Sequence, residues 1–362
     1  MNIVEHRRAL HQIPEPDLRL PKTSAYLRSV LEHYRCKLFA PIENAVCAYF
    51  DFGAERTIAF RADMDALPIT EKTGLPFASQ HPGYMHACGH DGHMAVGLEL
   101  AQRLDAQESF PNNVLLVFQP AEETVGGANL LCNTGFLQEY GVEAIFALHL
   151  WPGQEAGTIS SRKEEMLSRC CELTVDIYGK PAHVAKAWEA KDAMAAAVDF
   201  YSRCMALERS VDPGVRRLLK FGKMTSGTVR NIISGHTRLE GTLRTYRDDW
   251  FDRLYQGILD IAGEVEQSSG CRVEVKLETG YLAVINHPQL FDKVRALADF
   301  DVLEEPSMIS EDFSYYQRQV PGVFFFLGLG DTPALHNDRF DFDEQILLKG
   351  ADFFWNLAKN YR

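Results

Sequence analysis

Apolar, strand-like segments that each end in ionisable residues constrain the fold of this chain more than any other feature. Residues 114–118 (Val-Leu-Leu-Val-Phe) form a continuous apolar run, as expected of a strand that is buried on both faces of a parallel sheet. Residues 56–61 and 144–148 read as strands of the same kind. The carboxyl end of such strands is where open α/β sheets place their sites. The ionisable residues that follow these three segments are Asp63 and Asp65, Glu122 and Glu123, and His149.

A loop with metal-ligand chemistry lies between the first two of these segments. Residues 85–93 read Met-His-Ala-Cys-Gly-His-Asp-Gly-His. Imidazole and thiolate are common ligands of zinc and related metals, and glycine has the backbone freedom to let a short loop aim several donors at one point. Cys88 and His90, two residues apart, could therefore bind one ion. Taken alone, the pair also fits a small buried cysteine that packs in a core.

Each of these segments has an ordinary structural interpretation as well. An aspartate at the end of a strand often caps a turn, and an exposed Glu-Glu pair carries no function. A buried pair at Glu122 and Glu123 would instead require a positive partner. The convergence of separate segments, more than any one motif, favours a metal-dependent site.

The hydrophobic pattern changes near residue 168 and changes back near residue 280. Residues 171–178 alternate with period two, as in a half-exposed strand, and the segments after them predict the order β-α-β-β-α-β of a ferredoxin-like α+β domain. We therefore predict an α/β catalytic metal-binding domain from residues 1–167 and 280–362, with a central mixed, mostly parallel sheet flanked by helices. Residues 168–279 would form a second, inserted domain, for which the family resemblance described below implies the role of a lid or dimerisation domain.

Two helix predictions concern the surroundings of the site. Residues 93–104 have an apolar face at helical spacing, so we expect a helix that begins at the metal loop. In residues 1–35 we expect two helices separated by a proline-rich break, the second capped by Thr23 and Ser24.

Charge and composition exclude several classes of function. The net charge of −13 argues against nucleic acid or an anionic membrane surface as a partner. No apolar run is long enough to span a membrane, and residues 1–8 lack the apolar core of a secretory signal. The eight cysteines are scattered without a CxxC pair, which favours reduced thiols. We expect a cytoplasmic protein that acts on a small molecule.

The chain resembles the M20 metallopeptidase family, in its amidohydrolase branch of N-acyl-amino-acid deacylases and auxin-conjugate hydrolases. The matching segments follow family order along nearly the whole chain, at residues 61–68, 86–91, 118–123, 229–233, 241–244, 310–313 and 335–336. Within the branch, residues 7–15 and 74–80 are most similar to bacterial N-acetyldiaminopimelate deacetylases, enzymes of lysine biosynthesis.

The resemblance implies two divalent metal ions per subunit. Cys88 would bridge them as a thiolate, His90 and His149 would complete one coordination shell, and Glu123 and His336 would complete the other. Zinc or manganese is expected, and cobalt or nickel is also compatible with these donors.

The resemblance also implies residues that act on the substrate. Glu122 would be the general base, Asp65 would orient a ligand imidazole, and Asp63 would be an acid of the active site. His183 would donate to the oxyanion, from its own chain or from the partner in a homodimer formed through the lid domain. The residues expected to hold the substrate carboxylate are Asn231 and Arg244.

The implied activity is removal of an acyl group, with acetyl expected, from an N-acyl amino acid such as N-acetyl-diaminopimelate. Residues 179–188 read Gly-Lys-Pro-Ala-His-Val-Ala-Lys-Ala-Trp, where relatives have Gly-Gly-His or Gly-Ala-His, so the acyl and side-chain preference stays open. Two other readings remain: a dipeptidase or aminopeptidase on the same scaffold, and a metal-binding protein without catalysis. Structural zinc sites are closed, whereas the mixed donors and the spare Glu122 fit an open site better.

Overall fold

The computed structural model describes residues 1–278 and 280–362, and it divides the chain into two units. Unit 1 comprises Met1–Met166, Ile285–Pro306 and Asp312–Arg362, and unit 2 comprises Leu167–Val284 and Ser307–Glu311. The predicted boundary after residue 279 lies at a residue outside the described part of the chain.

Strands within the described residues are, in chain order, β1 (Lys37–Phe39), β2 (Val46–Phe50), β3 (Thr57–Asp63), β4 (Asn113–Gln119), β5 (Val142–Trp151), β6 (Ile159–Ser161), β7 (Glu164–Leu167), β8 (Arg169–Tyr178), β9 (Arg217–Ser226), β10 (His236–Thr245), β11 (Arg272–Leu277), β12 (Val284–Asn286), β13 (Asp301–Val302) and β14 (Gly322–Gly328).

Helices within the same residues are α1 (Ile3–His11), α2 (Pro21–Leu31), α3 (His90–Asp105), α4 (Gly127–Cys132), α5 (Phe136–Glu139), α6 (Ala193–Ser210), α7 (Asp248–Ser269), α8 (Pro288–Leu297), α9 (Ser314–Gln317) and α10 (Leu347–Asn360). Short 3₁₀ segments span Val184–Glu189 and Glu344–Ile346. In the described part of the chain, no helix combines the length and apolarity that crossing a bilayer requires.

Unit 1 is built on an eight-stranded sheet with the order β1-β2-β4-β3-β5-β14-β6-β13. The central strands β4, β3, β5 and β14 run parallel, whereas β2 and β6 add antiparallel strands on either side of them. Every residue of β3, β4 and β14 is buried, as the apolar runs predicted. The prediction of a central mixed, mostly parallel sheet flanked by helices is confirmed.

Unit 2 contains an antiparallel four-stranded sheet with the order β11-β8-β10-β9. Leu173, Val175 and Ile177 alternate along β8 and are buried in one apolar core with residues of α6 and α7. The chain order β8-α6-β9-β10-α7-β11 together with this sheet order is that of a ferredoxin-like fold, so the predicted insert is also confirmed. The strand β9 lies at an edge of the sheet.

The start of helix α2 differs from our prediction. The helix begins at Pro21, and Thr23 and Ser24 lie inside its first turn. The carboxylate of Glu15 accepts the backbone N–H groups of Lys22 and Thr23 at 2.9 Å each. The predicted cap was wrong because a residue six positions before the helix satisfies its first N–H groups, and proline at the first position has no N–H to satisfy.

A buried charge network joins α1 to the beginning of α3. Arg7 Nε donates to Asp91 Oδ2 at 2.9 Å, and His11 Nδ1 lies 2.8 Å from the same oxygen. On its other side, His11 Nε2 lies 3.3 Å from Glu71 Oε1. Burial alone would lower the pKa of His11, but the hydrogen bond and charge of Asp91 and the hydrogen bond of Glu71 outweigh it and raise that pKa to about 9. The network therefore holds a charged imidazolium in the protein interior.

This network predicts a loss of stability at alkaline pH. The raised pKa means that His11 stabilises the fold fully below its ordinary pKa of 6.5, and that this contribution disappears as pH rises through about 9. The free energy of unfolding, measured by urea denaturation, should fall between pH 6.5 and 9.5 by up to about 3 kcal/mol more in the wild type than in His11→Gln. Equal falls in the two proteins would show that His11 is not charged in the folded state.

Candidate metal centre

The carboxyl ends of three neighbouring parallel strands meet at one edge of the unit 1 sheet. Asp63 is the last residue of β3, His149 lies near the end of β5, and the segment that carries Glu122 and Glu123 follows β4. Because β4, β3 and β5 are adjacent in the sheet, these side chains approach each other although they are far apart in sequence.

The metal loop reaches the same edge through the first turn of α3. We predicted that this helix begins at His93, but it begins at His90, so that both histidines lie on the first turn with ring centroids 5.4 Å apart. Gly89 precedes the helix with a φ of 85°, in the left-handed region that glycine adopts without strain. A Cβ atom at Gly89 would lie 2.9 Å from the Cδ1 atom of Leu150, so a larger residue there would also require that side chain to shift.

Two of the predicted ligand histidines leave their Nε2 atoms available to a cation. The Nδ1 atom of His90 lies 2.7 Å from the backbone oxygen of Asp65, and its Nε2 atom is buried without a hydrogen-bond partner. The Nδ1 atom of His149 lies 2.8 Å from the backbone oxygen of Leu150, and its Nε2 atom lies 3.5 Å from the sulfur of Cys88. When Nδ1 carries the proton and donates to a carbonyl, the lone pair of Nε2 is the free ligand atom.

The other predicted ligands form a second group that adjoins the first. Ligand atoms of Cys88, Glu123 and His336 all lie within 4.8 Å of one another. Glu123 Oε1 lies 3.3 Å from the Nε2 atom of His336 and 3.9 Å from that of His90, so the carboxylate stands between the two groups. Glu122 has a carboxylate oxygen within 4.8 Å of ligand atoms of His90 and Glu123.

Strained backbone holds two of these ligand-bearing loops. Ala121, just before the glutamate pair, has a φ of 60°, and His336 has a φ of 64°. Such angles cost on the order of 1–2 kcal/mol for a residue with a side chain and persist only where the surroundings fix them. The backbone oxygen of Ala121 accepts the N–H groups of Gly126 and Gly127, and the N–H of His336 donates to Ala87 at 2.8 Å.

Asp65 contacts the imidazole of the predicted ligand His90 through its backbone. The backbone oxygen of Asp65 lies 2.7 Å from His90 Nδ1, and the nearest carboxylate oxygen is 3.7 Å from that atom. The carboxylate instead accepts the backbone N–H groups of Glu122 and Glu123 at 2.9 and 3.0 Å. Asp65 therefore fixes both the imidazole of His90 and the segment that carries the glutamate pair.

The electrostatics of this cluster fit a cation. Burial and the negative charges of Glu123 and Glu122 raise the pKa of the Cys88 thiol well above its usual value, so the protein alone does not favour a thiolate. The unpartnered Nε2 atom of His90 in the same cluster is costly unless something binds it. Thiolate, imidazole and carboxylate together are ligands of zinc and of related divalent metals, and binding such a metal ionises the thiol. The residues present therefore fit divalent metal ions.

His93 is a buried residue of the cluster to which our sequence analysis assigned no role. Its Nδ1 atom lies 2.5 Å from Asp63 Oδ1, and its Nε2 atom accepts the backbone N–H of Leu150 at 2.9 Å. The spacing of three residues from His90 was the available signal, because residues three apart share a helix face.

The three remaining predicted residues belong to unit 2. His183 is exposed and precedes a 3₁₀ segment, and its neighbour Val184 donates its N–H to the backbone oxygen of Asn231 at 3.1 Å. Arg244 lies on β10, and its Nη1 atom donates to the backbone oxygen of Met308 at 2.5 Å. Within unit 2, the segments that carry His183 and Asn231 are therefore side by side.

Comparisons with known proteins give matches along nearly the whole chain. The sequence model of the family described as Peptidase family M20/M25/M40 matches residues 59–360. The N-acetyldiaminopimelate deacetylase of Streptococcus uberis is 38% identical over 357 residues, which cover 95% of this chain and 94% of that protein. An uncharacterised hydrolase of Staphylococcus aureus is 36% identical over 375 residues, covering 99% and 98% of the two chains.

Solved structures also match the fold over nearly the whole chain. A dinuclear metal-binding peptidase of the M20 family from Bacillus subtilis has a TM-score of 0.84 at 29% sequence identity, covering 98% of this chain and 96% of that one. A structure from methicillin-resistant Staphylococcus aureus has a TM-score of 0.91 at 28% identity, covering 99% and 96%.

The sulfur of Cys88 lies close to ligand atoms of both groups, to His149 in one and to Glu123 and His336 in the other. We therefore predict that replacing Cys88 lowers the metal content of the protein. After incubation with zinc or manganese and dialysis, Cys88→Ala should lose most of the metal that the wild type retains, measured by plasma mass spectrometry. Cys47→Ala, which changes a buried cysteine of β2, is the matched control and should retain its metal. Wild-type metal content in Cys88→Ala would contradict a bridging sulfur.

Proposed function

The chain belongs to the M20/M25/M40 peptidase family, as its sequence motifs predicted, and we propose that it is a metal-dependent amidohydrolase that removes an acyl group from an N-acyl amino acid. One observation carries the proposal: the buried cluster at the strand ends, in which metal-ligand side chains surround a further carboxylate, that of Glu122. A closed structural metal site would have no use for that additional group.

Amide hydrolysis requires an activated water and a proton for the leaving amine. Divalent cations would be held by Cys88, His90, His149, Glu123 and His336, and they would supply a lowered pKa of water and polarisation of the amide carbonyl. The residues themselves are held for this purpose by the strand ends and by the metal loop.

Glu122 is the proposed general base. Its backbone N–H is fixed by Asp65, and its carboxylate stands within 4.8 Å of ligand atoms of His90 and Glu123. From that position it accepts the proton of the attacking water and later passes the proton to the amine. The adjacent Glu123, which is closer to His336, is left as a ligand.

Unit 2 supplies the residues proposed to recognise the substrate. His183 is exposed on a loop and is proposed to donate to the developing oxyanion. Asn231 on the neighbouring segment and Arg244 on β10 are proposed to hold the substrate carboxylate, the guanidinium by two parallel hydrogen bonds. Units 1 and 2 would thus be the catalytic and the lid domain.

The substrate proposed first is an N-acetylated amino acid, with N-acetyl-diaminopimelate as the leading candidate. The likeness to the Streptococcus uberis deacetylase supports this choice, since it spans 95% of the chain. Lysine biosynthesis would then be the process served. Residues 179–188, which depart from the family pattern around His183, are the segment in which a different acyl or side-chain preference would originate.

Unit 2 also supports a homodimer. Met194, Val198 and Tyr201 are spaced at i, i+4 and i+7 on α6 and are exposed, Val198 at 53%. Met224 on the edge strand β9 is exposed as well. Exposed apolar side chains beside a strand edge are typical of a protein interface, and we propose that a second copy of unit 2 covers them.

An acyl-release assay tests the activity. The metal-loaded protein should release carboxylate from at least one N-acetyl, N-succinyl or longer-chain acyl amino acid in a panel that includes diaminopimelate. Cleavage of unblocked dipeptides without turnover of any acylated amino acid would favour a peptidase, and no turnover in a metal-loaded protein would favour a binding protein.

The role of Glu122 predicts a loss of rate without a loss of metal. Glu122→Gln should retain metal content and reduce kcat by roughly 10²–10⁴-fold, since the amide cannot accept the proton. Glu108→Gln, at an exposed position, is the matched control and should keep the wild-type rate. A kcat within about tenfold of the wild type in Glu122→Gln would show that another group is the base.

The apolar surface of α6 predicts the oligomeric state. Size-exclusion chromatography with light scattering should give a dimer for the wild type and a monomer for Val198→Asp, because a buried unpaired charge opposes association. Gln256→Asp, at an exposed position of α7, is the control and should remain dimeric. A monomeric wild type, or a dimeric Val198→Asp, would contradict this interface.

A further inference from the structure

Asp63 is already fully engaged by protein groups. Its Oδ2 atom accepts Arg61 Nη1 at 2.6 Å, and its Oδ1 atom lies 2.5 Å from His93 Nδ1. A carboxylate with both oxygens engaged by neighbouring side chains is suited to holding one of them in place.

The hydrogen bonds of His93 identify the nitrogen that carries the proton. The Nε2 atom accepts the backbone N–H of Leu150 at 2.9 Å, so it carries no proton. The proton of the neutral ring therefore lies on Nδ1, which donates to Asp63 Oδ1. Both nitrogens of His93 are therefore occupied, although His93 lies within 4.8 Å of the ligand atoms of Asp63, His90 and His149.

The two backbone groups of Leu150 link His93 to the neighbouring ligand. The N–H of Leu150, in the peptide group that joins it to His149, donates to His93 Nε2, and the backbone oxygen of Leu150, in the next peptide group, accepts the Nδ1–H of His149 at 2.8 Å. The rings of His93 and His149 are packed edge to face, with centroids 4.6 Å apart. A substitution at His93 would thus remove two contacts that set the direction of the His149 Nε2 atom. One is the hydrogen bond to the backbone of Leu150, and the other is the edge-to-face packing of the two rings.

Arg61 connects this chain of contacts to the rest of unit 1. Its Nε atom donates to Gln119 Oε1 at 2.8 Å, and its Nη2 atom donates to Asp312 Oδ1 at 2.9 Å. Gln119 Nε2 in turn donates to Asp312 Oδ2 at 2.7 Å. The guanidinium is buried, and its hydrogen bonds join Asp63, at the end of β3, to Gln119, at the end of β4, and to Asp312.

We propose that His93 is a positioning residue of the metal centre, held by Asp63, which Arg61 holds in turn, and that it acts by fixing the backbone of Leu150 and thereby the ligand His149. The duty of Asp63, which the sequence left open, is then to hold the tautomer of His93. This inference rests on the proposed metal centre. It assigns His93 no metal bond, because both of its nitrogens are occupied by protein groups.

Two amide substitutions of His93 test whether the residue acts through its contact with Leu150 or is needed only as a polar group. His93→Gln places an amide oxygen where Nε2 stands and can still accept the Leu150 N–H, but it loses the contact with Asp63. His93→Asn keeps a donor near Nδ1 for Asp63 and loses Leu150. His93→Leu loses both contacts, and His6→Gln, at a buried histidine that hydrogen bonds Tyr26 on α2, is the control.

The measured quantity is the dissociation constant of zinc, by competition with a chromophoric chelator. Removing a group that orients a ligand typically weakens metal binding by about 10–100-fold. We expect that loss in His93→Leu and His93→Asn, and a dissociation constant within about fivefold of the wild type in His93→Gln and His6→Gln. In the cobalt-loaded proteins, the thiolate-to-cobalt absorption band should shift in His93→Asn and stay in place in His93→Gln.

Two results would overturn the inference, and they are distinguishable from failure of the proposed function. Wild-type affinity in all three His93 variants would show that His93 does not position a ligand. Rescue by asparagine and not by glutamine would show that the contact with Asp63 matters and the contact with Leu150 does not. A wild-type protein that binds no divalent metal would instead refute the metal centre itself, and this inference with it.

Discussion

The interaction on which this structure depends is the neutralisation of negative charge buried at the ends of β3 and β4. Asp63 is satisfied within the protein, by Arg61 and by His93. The carboxylate of Glu123 lies near the imidazoles of His336 and His90 and beside a thiol whose pKa is raised. Since buried charge is costly unless it is compensated, a bound cation would stabilise this cluster. The Nε2 atom of His90, which is buried without a hydrogen-bond partner, belongs to the same cluster.

The rest of unit 1 restricts the positions of the side chains that would bind such a cation. Parallel pairing of β4, β3 and β5 brings the strand ends together, and left-handed backbone at Ala121 and His336 turns the loops inward. On the far side of α3, the salt bridge from Arg7 to Asp91 secures the helix that begins with His90. Donors fixed before binding lose little entropy when the metal arrives, which favours tight binding and a defined geometry for catalysis.

The sequence was sufficient to predict the main strands and the fold of the insert, because long apolar runs and period-two alternation are local signals. The ionisable residues at the strand ends lie together in the structure, and their roles as metal donors stay a prediction. Prediction from the sequence failed where a residue distant along the chain made a contact that a neighbouring residue was expected to make. The helix α2 is capped by Glu15 instead of by its own threonine and serine, since tertiary contact overrides capping preference. Asp65 contacts the imidazole of His90, as expected, but through its backbone oxygen, a detail for which side-chain identity provides no signal. The part played by His93 depends on a contact with the Leu150 peptide 57 residues away, which no pattern in a single sequence reveals.

The central claim is that separate strand ends and a glycine-rich loop enclose two cations that share the sulfur of Cys88. Anomalous X-ray diffraction from crystals of the zinc- or manganese-loaded protein tests it most directly. The account predicts two anomalous peaks, both bonded to that sulfur, one also bonded to the Nε2 atoms of His90 and His149 and the other to Glu123 and His336. A single peak, or peaks that leave the Cys88 sulfur without a metal bond, would contradict it.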